Sequence, residues 1–297
     1  PAMTLPARNP PIEGSVGFSF SSSDFESIAL HAQRLFGLHL PAGKRDLVYA
    51  RLIKRLRALG LQDFQSYCRL LDSGDEAEQQ QMLSALTTNV THFFREGHHF
   101  ETLRSLLLPP LLEMARRGDR VRLWSAGCSS GQEPYSIALT ILEMMPDASR
   151  YDIRILATDV DKEILARARA GTYAAEEVDG IDQSVIGRYF QIAGGSASAS
   201  AELGKLITFA ELNLMNDWPM RGGFDVIFCR NVAIYFDKPT QQRLWGRFAN
   251  LLRPEGHLFI GHSERISGPA ETLFKGVGVT TYRRVGPNAA IAEGTTG

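Results

Sequence analysis

Four short runs in this chain set acidic, polar and small residues where an α/β sheet binds ligands. In the first, Leu123-Trp124-Ser125-Ala126 leads into Gly127-Cys128-Ser129-Ser130-Gly131 and then Gln132-Glu133-Pro134. A strand that turns through small residues into a helix lets a ligand approach the backbone and offers it unpaired N–H donors. Three residues separate Gly127 from Gly131, so this is not the dinucleotide G-x-G-x-x-G fingerprint. Glu133, in the first helical turn, either complements the helix dipole or holds an ammonium group. The second run is Ala157-Thr158-Asp159-Val160-Asp161. An acid at the carboxyl end of a strand can accept both hydroxyls of a ribose. One of this pair is expected to cap the next helix and Asp159 to face the cleft. The third run, Phe224 to Phe236, ends an apolar strand in Arg230 and Asn231 and reaches Tyr235. That tyrosine is either a core aromatic with a satisfied hydroxyl or part of the site. The fourth run, Asn89-Val90-Thr91-His92-Phe93-Phe94-Arg95, either packs a domain junction or supplies a polar wall.

The elements that must position these runs follow from periodicity. Apolar residues recur at helical spacing from Phe25 to Leu86, through Ile28, Leu52, Leu56, Phe64, Leu71 and Met82. This predicts a bundle of about four helices, broken at Gly43, Gly60 and Asp72-Ser73-Gly74-Asp75. From Val121 short apolar strands alternate with helical stretches, as in a parallel sheet covered on both faces. Strands are expected at Val121–Ala126, Ile153–Thr158, Leu206–Asn213, Phe224–Cys229 and His257–Gly261. Helices are expected at Gln132–Met144, Lys162–Ala170 and Thr240–Leu252. A strand pair across Gly276 and Gly278 closes the domain. The segment 171–205 reads as an insertion, with Gly194-Gly195-Ser196-Ala197-Ser198 as a mobile loop. The expected organisation is a flexible leader (1–17), a helical domain (18–88), a linker (89–100), an α/β domain (101–285) and a disordered tail (286–297).

In this order, Asn89–Arg95, Ser125–Tyr135, Leu156–Asp161, Phe224–Tyr235 and the stretch from Leu252-Arg253-Pro254-Glu255-Gly256 to Gly261-His262-Ser263-Glu264 resemble the chemotaxis receptor methyltransferases of the CheR family. The resemblance spans about Phe20 to Val285. It implies an all-α N-terminal domain and a Rossmann-like class I methyltransferase domain of α/β type, with a small β-subdomain inserted at 171–205. It also implies S-adenosylmethionine as cofactor, S-adenosylhomocysteine as product and receptor glutamates as substrate. By matching positions, cofactor contacts fall on Asn89, Thr91, Arg95, Glu133, Asp159, Asn213, Leu214, Arg230 and Asn231, beside the close backbone approach at Gly127. Arg95 and Tyr235 match positions near the transferred methyl.

Composition narrows the partners. The chain of 297 residues is 44% hydrophobic, with a formal net charge of -1, so no global field draws it to nucleic acid or membrane. With no signal-peptide core and no apolar run long enough to cross a bilayer, a cytoplasmic location is expected. Cys68, Cys128 and Cys229 offer neither a disulfide framework nor a metal spacing. Cys128 has no His partner that would make it a nucleophile. No metal site is expected, and His98-His99 reads as a surface pair. Lys44, Arg51, Lys54 and Arg55 crowd one helical region, either as a solvated face or as a dock for the acidic methylation helices of a receptor's cytoplasmic domain. Some members of the family use the inserted subdomain to grip a peptide at the receptor C-terminus. Here the stretch from Phe190 to Phe209 is short and rich in Gly, Ser and Ala, which points to a form that does not need the peptide. The readings from other classes are a non-catalytic cofactor-binding regulator and a methyltransferase for another substrate.

Overall fold

The computed structural model describes residues 17–285, so the expected tail and all of the leader but Gly17 lie outside the described residues. The helical domain holds α1 (Ser22–Phe36), α2 (Arg45–Leu59), α3 (Phe64–Asp72) and α4 (Glu76–Leu86). Ser21 and Asp24 start α1 reciprocally, the Ser21 Oγ accepting from the Asp24 N–H at 3.1 Å and the Asp24 carboxylate from the Ser21 N–H at 2.8 Å. Asp63 and Asp75 cap α3 and α4 in the same way, each accepting from an N–H three residues on. Ile28, Leu52, Leu56, Phe64 and Met82 fill the centre. Glu78 is buried among them because it is paired, with the Tyr67 hydroxyl at 2.8 Å and the Arg55 Nε at 3.0 Å.

A short helix α5 (His98–Thr102), a π-turn over Leu103–Leu107 and α6 (Leu108–Arg116) lead into the sheet. There follow β1 (Val121–Ala126), α7 (Gln132–Met144), β2 (Ile153–Asp159) and α8 (Lys162–Ala170). The insertion carries β3 (Thr172–Ala174), α9 (Gln183–Tyr189), β4 (Phe190–Ala193) and β5 (Ser196–Ala199). Then come α10 (Ala201–Leu206), β6 (Ile207–Glu211), β7 (Phe224–Cys229), α11 (Lys238–Leu251), β8 (Leu252–Ile260), β9 (Phe274–Gly278) and β10 (Thr281–Arg284). The main sheet runs β6-β2-β1-β7-β8-β10-β9 and is parallel up to β8, with β10 and β9 antiparallel. Order reverses between β1 and β7, which opens a crevice at their carboxyl ends. Both faces are covered: Leu123, Val226 and Phe228 face the core under α6 and α7, while Trp124, Ile227 and Cys229 face the core with α11.

Three local expectations need correcting. The run Gly194 to Ser198 is a hairpin turn followed by β5, in which Ala197 is fully buried opposite Tyr173 and Ile192. Small residues there fit under aromatic neighbours, so low complexity was a packing signal and not a loop. The strand expected at His257–Gly261 begins at Leu252, because Phe224 of β7 pairs with Leu252 before a register shift. Arg253-Pro254-Glu255 interrupts the apolar alternation and hid that start from the pattern. The closing hairpin turns at Val279-Thr280, with Thr280 at φ 47°, and not at its glycines.

Candidate functional site

The carboxyl ends of β1, β2 and β7 form the floor of a deep cleft. The segment 87–95 and the turn Ala233–Tyr235 form its sides, and Phe36, Leu38 and Leu83 of the helical domain close it above. The two domains are stitched at this point. The His39 N–H donates to the Tyr235 carbonyl at 2.8 Å, within an antiparallel bridge between Leu38 and Phe236.

Gly127 begins the turn after β1 at φ 79°, and a Cβ there would lie 2.4 Å from the Val232 Cγ2. The N–H groups of Gly127 and Cys128 donate to the Thr158 carbonyl at 2.8 and 2.9 Å, which fixes the turn across the floor. Glu133 on the first turn of α7 accepts from the Ser125 hydroxyl at 2.6 Å and pairs with Arg230 at 3.2 Å. Burial raises its carboxyl above the usual range, and Arg230 pulls back against that. Asp159 ends β2 and accepts from the Ser129 N–H at 2.8 Å and the Asp161 N–H at 3.0 Å. Its pKa is also raised by burial, against those bonds. Asp161 is the cap of α8, accepting from the N–H groups of Glu163 and Ile164. The ambiguity left by the sequence is thereby divided between two residues.

Arg230 is buried; it also donates to the Arg95 carbonyl and lies 3.7 Å from Glu96. Arg95 closes its own loop by donating to the Val90 carbonyl at 2.7 Å. The Tyr235 hydroxyl donates to the Thr88 carbonyl at 3.2 Å. Asn89, Thr91, Asn213, Leu214 and Asn231 complete the walls. The Asn213 amide is used internally, donating to the Leu35 carbonyl at 2.7 Å and accepting from the Met215 N–H at 2.9 Å, so it shapes the wall. Every residue expected in the pocket therefore lines one cleft. The Cys128 thiol is held well above its usual pKa by burial and by the negative charges of Asp159 and Glu133, so it supplies no thiolate.

Sequence reasoning passed over three features. Glu264 was quoted in a motif without a role. It is a buried carboxylate that accepts from the N–H groups of Asn231 and Val232, each at 3.0 Å, Ile234 at 3.2 Å and Gly261 at 2.5 Å. It thereby holds Asn231 at φ 59°, and a Cβ on Gly261 would lie 2.5 Å from the Asn231 Nδ2. The apolar roof from Phe36, Leu38 and Leu83 had no residue singled out in the helical pattern. His99, expected at the surface, is fully buried against Phe259, because the turn into α5 folds under β8 and β10.

The basic region is also redistributed. Arg55 is committed to Glu78, and Arg51 donates to the Leu86 and Thr87 carbonyls and to the Thr88 Oγ1, capping the end of α4. Lys44 and Lys54 remain exposed.

The all-alpha domain of the CheR methyltransferases matches residues 23–87, and their SAM binding domain matches residues 89–283. The chain belongs to the CheR methyltransferase family. A probable chemotaxis protein methyltransferase of Rhizobium etli is 53% identical over 252 residues, covering 83% of this chain and 94% of that protein. Chemotaxis protein methyltransferase 2 of Pseudomonas aeruginosa is 42% identical, covering 94% of this chain and 99% of its own. The chemotaxis protein methyltransferase of Escherichia coli is 41% identical, covering 89% and 91%. The cofactor of this CheR-family chain is S-adenosylmethionine, and its two domains are the family's all-alpha domain and SAM binding domain. Among the described residues no helix is long and apolar enough to cross a membrane.

Proposed function

We propose that this protein transfers a methyl group from S-adenosylmethionine to glutamate side chains in the cytoplasmic domain of chemotaxis receptors, leaving a methyl ester and S-adenosylhomocysteine. The observation that carries it is the cleft that two half-buried carboxylates, Glu133 and Asp159, line together with Arg95 and Tyr235 in a chain of this family. The donor set suits the cofactor. Glu133 answers a cationic amine, Asp159 answers a ribose diol, and the bare backbone at Gly127 admits a close approach.

When bound, S-adenosylmethionine supplies a methyl carbon attached to a positive sulfur. Glutamate titrates near 4.3, so its carboxylate is already ionised at neutral pH and this chain needs no general base. That agrees with a protonated Cys128 in the cleft. The work of the protein is to position. Arg95 orients the substrate carboxylate, and Tyr235 shapes the pocket around the methyl. Phe36, Leu38 and Leu83 keep water out of a reaction between opposite charges.

Lys44 and Lys54 are assigned to meet the acidic receptor helices, and Arg51 and Arg55 to hold the surface that presents them. The inserted subdomain is assigned no peptide at the receptor C-terminus, and the protein acts in the cytoplasm. The test uses methyl-labelled S-adenosylmethionine and a receptor cytoplasmic fragment, followed by mild alkali. Release of the label as methanol supports a carboxyl ester. Label that stays bound, or no transfer at all to several fragments, overturns the reading.

A further inference from the structure

Next to Arg95 and outside the cleft lining, Glu96, His98 and His99 bring one ligand atom each to within 4.8 Å of one another. The cluster is anchored from inside. The His99 side chain is 0% exposed and that of Glu96 is 11% exposed. The His99 Nε2 faces the Thr280 Oγ1 at 2.8 Å and the Val279 carbonyl at 3.3 Å. A ring that donates through Nε2 to that carbonyl presents Nδ1 as a bare lone pair, the arrangement that outer hydrogen bonds impose on metal-bound histidines. The His99 Nδ1 and the Glu96 Oε2 are both buried without a hydrogen-bond partner, and they face each other at 3.5 Å. The other Glu96 oxygen lies 3.2 Å from the Nδ1 of His262, an exposed side chain just beyond β8. Glu96 is also held toward the protein interior by the buried Arg230, which it shares with Glu133.

We propose that Glu96, His98 and His99 form a binding site for a zinc-class divalent ion, with His262 at its rim. Two imidazoles and one carboxylate with an open fourth position form a donor set that suits Zn²⁺ and Co²⁺ and does not suit Mg²⁺. The site departs from the sequence expectation of no metal because one ligand, His99, reaches it only through the fold. It ties the segment that carries Arg95 to the end of β8, and it competes with Arg230 for Glu96. It does not rest on the identity of the methylated substrate.

The test is titration of the full chain, free of any polyhistidine tag, with Zn²⁺ alone by calorimetry and with Co²⁺ alone by visible absorption. One equivalent bound, with a Co²⁺ band of a four- or five-coordinate site, is expected. His98 and His262 are exposed, so their replacement leaves the core intact. Losing even an outer partner of a metal costs 10–100-fold, so His98→Ala weakens binding by about tenfold or more. His98→Ala/His262→Ala weakens it further. No binding, a stoichiometry other than one, or equal affinity in wild type and His98→Ala overturns the site.

Discussion

Glu133 and Asp159 are useful to a cofactor only when ionised, yet burial raises the pKa of both. Their protonated forms lose the charge that answers a cationic amine and keep one acceptor oxygen fewer for a diol. Cofactor affinity is therefore retained above their raised pKa values and lost as pH falls through them, earlier than an ordinary carboxylate near 4 would allow. Binding titrations of S-adenosylmethionine between pH 8 and pH 5 check this. Glu133→Gln weakens binding at pH 8 and flattens the acid limb. Arg95 touches the wall nearest the proposed transfer point, so Arg95→Ala lowers kcat by about 10²-fold, on the scale of losing one oriented electrostatic donor, with a smaller change in cofactor affinity. Undiminished turnover removes that role. Glu264 acts through backbone alone. Glu264→Ala strands the N–H groups of Asn231, Val232, Ile234 and Gly261 and costs on the order of 3 kcal/mol, read as a lower Tm.

At the scale of elements, α2 serves two purposes that its sequence does not separate. Its buried stripe, Val48, Leu52 and Leu56, builds the bundle. Arg51 and Arg55 on its flank secure α4, and Arg51, through Thr87 and Thr88, also secures the strip that becomes the cleft wall. Reversal at Lys44 and Lys54 is therefore the informative substitution. Lys44→Glu/Lys54→Glu raises the apparent KM for receptor fragment and weakens the salt dependence of that KM, with an unchanged Tm. Arg55→Glu instead sets a second carboxylate against buried Glu78 and lowers the Tm. Identical kinetics in the lysine variant would move the receptor contact elsewhere.

The whole molecule is a sheet edge covered by a helical domain, and the site exists only where the two meet. Tyr235 belongs to the sheet domain by sequence, but its hydroxyl donates to Thr88 and its ring packs against the helical core. The inserted sheet, β3-β5-β4, has strands of three or four residues not paired to the main sheet, and it meets the junction only from below, where Tyr173 and Phe190 pack edge-on against Phe93. Deletion of the receptor's C-terminal residues is accordingly expected to leave KM for the receptor unchanged. A large rise in KM on that deletion would assign the insertion a tethering role.

Local order was legible because its causes are local. The helix breaks at Gly60 and at Asp72-Ser73-Gly74-Asp75, the strand–turn–helix around Gly127 and the bounds of α7 and α8 follow from spacing and side-chain chemistry within a few residues. The motif positions also named the residues that line the cleft, since open sheets gather the carboxyl ends of their strands. Long-range pairing was not legible. That Arg51 and Arg55 turn inward, that Glu264 holds a loop 30 residues away, that α1 and α4 roof the cleft and that His99 is buried beside Glu96 were all decided by tertiary structure. A charge or imidazole carries no signal in sequence of whether its partner is solvent or a distant carboxylate. Only the packed chain sets that, because burial makes an unpaired charge too costly to leave alone.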